Sequence, residues 1–203
     1  MHPNRSLRKT AWAAALAFAR QRAFGTLAVN GEKGPLLAHV PFLLAEDGAS
    51  LDLHLVRSNP VTRAAGQAVL SVIGPDSYIS PDWYDTPDQV PTWNYVAVHL
   101  RGTLHFLPED TLRDLLERQS AHFEDQLFPK PPWLTDKMSP GMMEAMMRAI
   151  VPARLMVEDV QSTFKLNQNK ADAARLRAAG FVARDGIGTE LEELSQLMQS
   201  PPK

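Results

Sequence analysis

The sequence predicts an α+β chain, mainly antiparallel β, whose first half closes into a small barrel and whose second half adds peripheral helices. Three observations carry this reading. Before Pro108 the apolar residues fall in short β-branched runs broken by turn residues, the pattern of antiparallel strands in a small barrel. Leu51 to Val56 reads LDLHLV, so Leu51, Leu53 and Leu55 share one face and Asp52 and His54 the other. From Pro108 onward the spacing becomes helical, with Leu112, Leu115, Leu116, Gln119 and Phe123 on one side.

The first segment, MHPNRSLRKTAWAAALAFARQRAF, has basic residues ahead of an apolar run. Arg20 and Arg22 interrupt it and no small-residue cleavage site follows, so it reads as an amphipathic helix starting near Ser6 or Thr10, not as a leader. Phe24 to Val29 is the first strand, ended by Asn30-Gly31, a strong turn signal. Pro35 to Leu44 is the second, with Pro41 suggesting an edge or a bulge. Glu46-Asp47-Gly48 turns the chain into Leu51 to Val56.

Asn59-Pro60 opens a short helix over Val61 to Gln67, since proline suits a first turn and asparagine can cap it. Ala68 to Ile73 is a fourth strand, and Tyr95 to Leu107 is two paired strands or one bent at Gly102. Pro108 starts a helix running to about Asp125, and Ser139-Pro140 opens another over Gly141 to Ile150. Val151 to Val157 returns as a strand, Lys170 to Ala179 is helical and stops at Gly180, and Thr189 to Met198 is a last, acidic helix. The whole is expected to be one domain, 1–203, with helical additions at about 108–150 and 170–200.

Composition excludes several functions. The 203 residues carry a formal net charge of -2, so no overall basic field draws nucleic acid or acidic lipid. There is no cysteine, which removes disulfides, thiolate metal sites and a cysteine nucleophile and suits a reducing cytoplasm. No window approaches the ~18 apolar residues of a membrane span. Neither G-x-S-x-G nor G-x-x-x-x-G-K-[ST] occurs.

Chemistry concentrates in a few places. Tyr78 to Gly102 holds all three tyrosines together with Trp83, Trp93 and Asn94. Amphipathic aromatics of this kind collect where one end of a ring is dry and the other meets a polar partner, as in cofactor pockets and subunit interfaces. Arg57, Ser58, Asn59, Thr62 and Arg63 surround a strand end and a helix start, which suits a phosphate; the alternative is a capped turn with two solvated arginines. His39, His54, His99 and His105 lie on strands without metal-ligand spacing, so His39 and His54 read as hydrogen-bonding groups and no metal is expected. Asp82, Asp85 and Asp88 have turn duties. Met142, Met143, Met146 and Met147 follow helical spacing, as core filler or as a dimer contact. Lys165, Gln168, Asn169 and Lys170 form a polar cluster at a helix start.

Six ordered blocks carry a resemblance. They are HVPF at His39 to Phe42, H-x-x-R-S-N-P at His54 to Pro60, YISPDWY with VPTWNY between Tyr78 and Tyr95, V-H with G at Val98 to Gly102, MMRAIV at Met146 to Val151 and KLNQNK at Lys165 to Lys170. Together they resemble the PaiB-like family of FMN-binding negative transcriptional regulators, split β-barrel proteins related to pyridoxamine-phosphate-oxidase flavoproteins. The chain departs from the pattern at its N-terminus and in its tail after Gly180. The resemblance implies an FMN-binding split barrel with peripheral helices, acting as a homodimer with flavin at the interface. In it, Arg57, Ser58, Asn59 and Arg63 would hold the phosphate, and His39, Val40, Pro41 and His54 would line the ring. Trp93, Asn94 and Tyr95 would close the pocket, and Lys165, Gln168 and Asn169 would reach the phosphate or ring edge. The implied function is a negative regulator or flavin-dependent sensor, with a flavin-dependent oxidoreductase acting on a small molecule as the alternative. Direct DNA binding follows only from the family's label, because no helix-turn-helix or basic recognition helix is present.

Overall fold

The computed structural model describes residues 12–202. Seven strands and five α-helices are placed there: α1 (Trp12–Arg22), β1 (Phe24–Gly31), β2 (Gly34–Leu44), β3 (Ser50–Val56), β4 (Gly66–Ile79), β5 (Thr92–Phe106), α2 (Leu112–Asp125), α3 (Met142–Met147), β6 (Ile150–Lys165), α4 (Asp172–Asp185), β7 (Gly188–Thr189) and α5 (Leu191–Gln199). The hydrogen-bonded order is β1-β2-β3-β6-β5-β4-β7. β4 also pairs with β1, so the order returns to its start, as the barrel expectation requires. β1–β2 and β2–β3 join by short turns, β4 and β5 by the longer stretch 80–91, and β6 enters between β3 and β5 after the helical excursion.

The chain forms two compact units, and the long strands β4, β5 and β6 contribute to both. One unit comprises residues 23–71 and 100–159. Its core is built from alternate positions of β1, β2 and β3, including Leu27, Phe42, Leu53 and Leu55, closed by Leu112 and Leu115 of α2. Burying each such side chain is worth ~1.5–3 kcal/mol. The other unit comprises residues up to 22, 72–99 and from 160 on. There Ala15, Leu16 and Ala19 of α1, Ile79, Val96 and Leu166, and Ala178, Val182 and Leu194 of α4 and α5 are buried.

Several elements differ from the sequence expectation, each for a physical reason. The β1–β2 turn falls on Glu32-Lys33, not on Asn30-Gly31, because Gly31 pairs with Gly34 and Gly34 takes the positive φ of 115°. At Pro41 β2 changes partner: it pairs with β1 up to Pro41 and with β3 from Phe42, so the proline falls where the ladder needs no donor on the β3 side. The helix at Val61 shrinks to a 3-10 turn, Pro60–Arg63, capped by the Asn59 side chain on the Val61 N–H at 2.9 Å. β4 continues to Ile79 through Gly74-Pro75, and Asp76 and Ser77 pair with Thr189 and Gly188 of β7.

β5 is one strand, and Gly102 lies against the β6 backbone: a Cβ there would sit 1.8 Å from the Met156 carbonyl oxygen. β6 runs on to Lys165. α4 passes through Gly180, where a Cβ would meet nothing within 4 Å, so the glycine does not mark a stop. The methionine-rich α3 buries none of its residues, with Met142 and Met146 well exposed, so it is not core. Ser6 and Thr10, proposed near the first helix's start, lie outside the described residues. No helix is long and apolar enough to cross a membrane among the described residues.

Candidate functional site

The turn after β3 places most of the polar chemistry of the first unit. Arg57 is stitched to the start of β6: its N–H donates to the Ala149 carbonyl at 2.8 Å, its Nε to the Arg148 carbonyl at 3.0 Å and its Nη2 to the Ile150 carbonyl at 3.2 Å. Nη2 also donates to Glu109 Oε1 at 2.8 Å. Nη1 makes no such bond among the described residues. Arg57, Arg148, Glu109, Glu144, Leu112 and Met147 line a cavity of about 470 Å³. Glu144 is engaged by Arg113 at 2.5 Å and its carboxyl lies below the usual range, helped by backbone hydrogen bonding and the Arg113 charge.

The donor set tests the phosphate expectation. Arg57 and Arg148 supply cationic donors, and Leu112 and Met147 supply apolar wall, the mixture an amphipathic phosphate ester needs. Glu109 and Glu144 balance those charges, so an incoming phosphate competes with Glu109 for Arg57. The residues therefore fit a phosphate, with a resident carboxylate as rival. Asn59 and Ser58 serve differently. Asn59 spends its side-chain oxygen on the cap, while Ser58 and Arg63 are exposed.

His39 is exposed on β2, its Nδ1 3.0 Å from Thr26 Oγ1, with Val40 buried and Pro41 half-buried beside it. His54 is half-buried on β3, its Nδ1 2.9 Å from Gln119 Oε1. Gln119 in turn donates through Nε2 to the Pro41 carbonyl at 3.3 Å. Burial lowers the His54 pKa, and the hydrogen bond to Gln119 offsets part of that. Thus one buried amide ties His54 to Pro41, two residues singled out separately from the sequence. Asp52, on the same strand, is buried and bound by Arg118 and Arg154, so β3 buries both its faces.

The second unit holds the remaining candidates. Strand alternation divides the β5 trio: Trp93 is exposed, Tyr95 half-buried and Asn94 wholly buried. Trp93 stands edge-on to Tyr78 at 6.3 Å between ring centroids. Asn94 Nδ2 reaches Met198 Sδ of α5 at 3.5 Å, and its buried Oδ1 has no hydrogen-bond partner among the described residues. Lys165 donates to Thr92 Oγ1, and desolvation lowers its pKa. Gln168 is turned inward on its own loop: its Oε1 accepts from the Leu166 N–H and its Nε2 donates to the Phe164 carbonyl. That fold-back stabilises the left-handed Asn167, whose φ is 61°. Asn169 is exposed. Lys170 lies over the Tyr84 ring at 4.8 Å and bonds Gln89.

A wider, open cavity of about 550 Å³ in this unit is lined by Asp82, Asp85 and Asp88 with Pro81, Thr86, Pro87 and Gln89. Its carboxylates disfavour a phosphate. Ser80 caps the short turn there, and Asp85 and Asp88 take positive φ, the turn duties expected of them. No group of three or more His, Asp or Glu is disposed to hold a metal among the described residues.

Gln119 and Glu109 were not singled out for chemistry by the sequence. Gln119 left one trace, a polar residue on the apolar side of a helix. Tyr84 and Asn167 lie in the aromatic stretch and the KLNQNK block, but nothing in the sequence showed that they meet, 3.2 Å apart through Oη and Oδ1 across 83 positions.

The comparisons agree with this architecture. The family described as "Putative FMN-binding domain" matches residues 1–159. "Protease synthase and sporulation protein PAI 2" of Bacillus subtilis is 33% identical over 162 residues, 75% of each chain. The FAD and heme binding protein of Mycobacterium smegmatis superposes with a TM-score of 0.57 at 16% identity, over 83% of this chain and 78% of that one. The flavocytochrome Anf3 of Azotobacter vinelandii gives 0.55 at 13% identity, over 81% and 72%. At such identities the two structures speak for the fold alone, the split barrel. The sequence matches go further: by them the chain belongs to the family described as "Putative FMN-binding domain" and is homologous to PAI 2, in line with the group its motifs resemble.

Proposed function

We propose that the chain binds FMN and serves as a flavin-dependent sensor or negative regulator, working as a homodimer with the flavin at the subunit interface. The observation that carries the reading is the Arg57 corner, a guanidinium anchored on two backbone carbonyls and Glu109, its own main-chain N–H on a third carbonyl, at a half-apolar cavity. In this reading that corner takes the phosphate, as the family's description by FMN binding supports a flavin ligand. Ser58, Asn59 and Arg63 flank it. His39, Val40, Pro41 and His54 supply the ring side, with Trp93, Tyr95, Lys165 and Asn169 as further contacts; Asn94, covered by α5, and Gln168, folded back on its own loop, would join them only after rearrangement. Exposed Ile73, Val90 and Trp93 support a second copy as the covering surface. The regulatory part rests on the relative, whose name refers to protease synthesis and sporulation.

The test is the visible spectrum of the purified protein and the mass of any released ligand, followed by titration with FMN and riboflavin. Arg57→Ala should weaken FMN by roughly tenfold, the low end of a charge-assisted contact because the site is partly exposed, and leave riboflavin unaffected. A colourless protein that binds neither flavin sinks the reading. Rapid bleaching by a reduced nicotinamide, with turnover of an acceptor, replaces the sensor by an oxidoreductase.

A further inference from the structure

α2 delivers a buried amide to β3, and the chemistry of that amide fixes the state of His54. Gln119 is only 4% exposed. One end of its amide faces the Pro41 carbonyl at 3.3 Å and the other faces His54 Nδ1 at 2.9 Å. A carbonyl oxygen accepts and cannot donate, so only the NH₂ end can face Pro41. Oε1 is then the end on His54. Because that oxygen also carries no proton, the hydrogen between it and the imidazole must sit on Nδ1. In the neutral ring the proton is thereby spent, and Nε2 is left as a pure acceptor. It makes no hydrogen bond among the described residues.

We propose that Gln119 is a positioning residue that locks His54 in its Nδ1–H form, so that Nε2 accepts a hydrogen bond from an N–H or hydroxyl donor on the bound ligand. The ligand half of the proposal rests on the flavin reading; a flavin offers both donor types, in its ring imide and its ribityl chain. His54 lies three residues before Arg57, about 10 Å of extended chain, so a ligand held by its phosphate at Arg57 presents a different part of itself to His54. The arrangement is a specificity device: a group that can only accept at Nε2 meets the Nε2 lone pair without a hydrogen between them, and a buried unpaired acceptor is costly.

The experiment is ¹⁵N-histidine NMR on the full chain, with His54→Phe used to assign the His54 signals. The expected result is a protonated-type Nδ1 and an unprotonated-type Nε2, with the Nε2 resonance moving when FMN is added. Gln119→Leu should mix the tautomers and weaken FMN by roughly 2–12-fold, the range for one hydrogen bond. A wild-type ring protonated on Nε2 overturns the proposal, a result that does not depend on any variant folding. FMN seen bound by its absorbance, with His54 Nε2 unmoved, overturns the ligand half while the flavin reading stands. No FMN binding with the Nδ1–H tautomer intact sinks the flavin reading and supports the positioning role.

Discussion

Replacing Asp52 by asparagine separates charge from shape at the most heavily engaged carboxylate of the first unit. Asp52 is 7% exposed on β3. Arg154 grips it as a fork, Nε on Oδ1 at 2.6 Å and Nη2 on Oδ2 at 3.0 Å, and Arg118 Nη2 adds a bond to Oδ2 at 3.2 Å. Asparagine keeps the volume but turns one acceptor into a donor facing a guanidinium. Breaking a sealed ion pair costs ~3–5 kcal/mol. Here the arginine side chains are 46% and 42% exposed, so water recovers part of their solvation. The expected loss is therefore about 2 kcal/mol, a Tm drop of roughly 4–8 °C for a chain of this size.

The pH dependence follows from the same contacts. Burial alone would raise the Asp52 pKa, but the hydrogen bonds and charges of Arg154 and Arg118 outweigh it and hold the carboxyl below its ordinary range. The folded-state value thus lies under the unfolded one of about 3.9. Its stabilisation is complete above the unfolded value and is lost as pH falls through the folded one. Thermal melts of wild type and Asp52→Asn should differ by a constant amount at neutral and mildly acidic pH and converge below about pH 4. Equal Tm values at pH 7, or a gap unchanged at pH 3, would show that the charge is not what Asp52 contributes.

Two further predictions test other contacts. Glu109→Gln removes the carboxylate that competes for Arg57; with side chains 47% and 74% exposed the pair is weak, so FMN affinity by calorimetry should tighten by only ~2–5-fold, with riboflavin unchanged. Equal tightening of both flavins would place the phosphate elsewhere. Gly102→Ala forces a Cβ to 1.8 Å from the Met156 carbonyl oxygen, backbone that cannot swing aside; a loss above about 3 kcal/mol is expected in urea melts, and a variant of near wild-type stability would mean β5 and β6 can part there.

What the sequence revealed was what local chemistry decides. Leu51 to Val56 came out as β3 to within a residue because alternation and flanking turns are local signals. The errors fall where a distant partner overrides such a signal. Gly74-Pro75 looks like a break, yet β4 continues because Asp76 and Ser77 gain ladder partners in Thr189 and Gly188, more than a hundred residues on. Glu158-Asp159 looks like the end of a strand, yet β6 continues to Lys165. For the site, the HVPF and HxxRSNP blocks located His39, Pro41, His54 and Arg57, but not what binds them. Gln119 and Glu109 arrive from the excursion after Pro108, and no local pattern announces that a glutamine will reach Pro41 or that a glutamate will sit on Arg57.

The aromatic stretch shows the limit from the other side. Its residues do need half-dry, half-polar surroundings, and part of that need is met by the chain's own C-terminal region, beyond the residues the family match covers. Trp83 stacks on Phe181 of α4, with ring centroids 5.6 Å apart and planes 6° from parallel. Tyr84 bonds Asn167, and Asn94 lies against Met198 of α5. Trp93 and Asn94 therefore cannot share one role. Trp93 is available to a ligand or a second copy as the unit stands. Asn94 is not, because α5 covers it. Its buried Oδ1, without a hydrogen-bond partner among the described residues, carries a penalty of about 1–3 kcal/mol, and a donor reaching that oxygen would relieve it only by first displacing Met198. The exposed face of the strand, Trp93 with Tyr95 beside it, is thus the part of the stretch that can meet flavin without rearrangement, and Asn94 contributes to binding only if α5 moves.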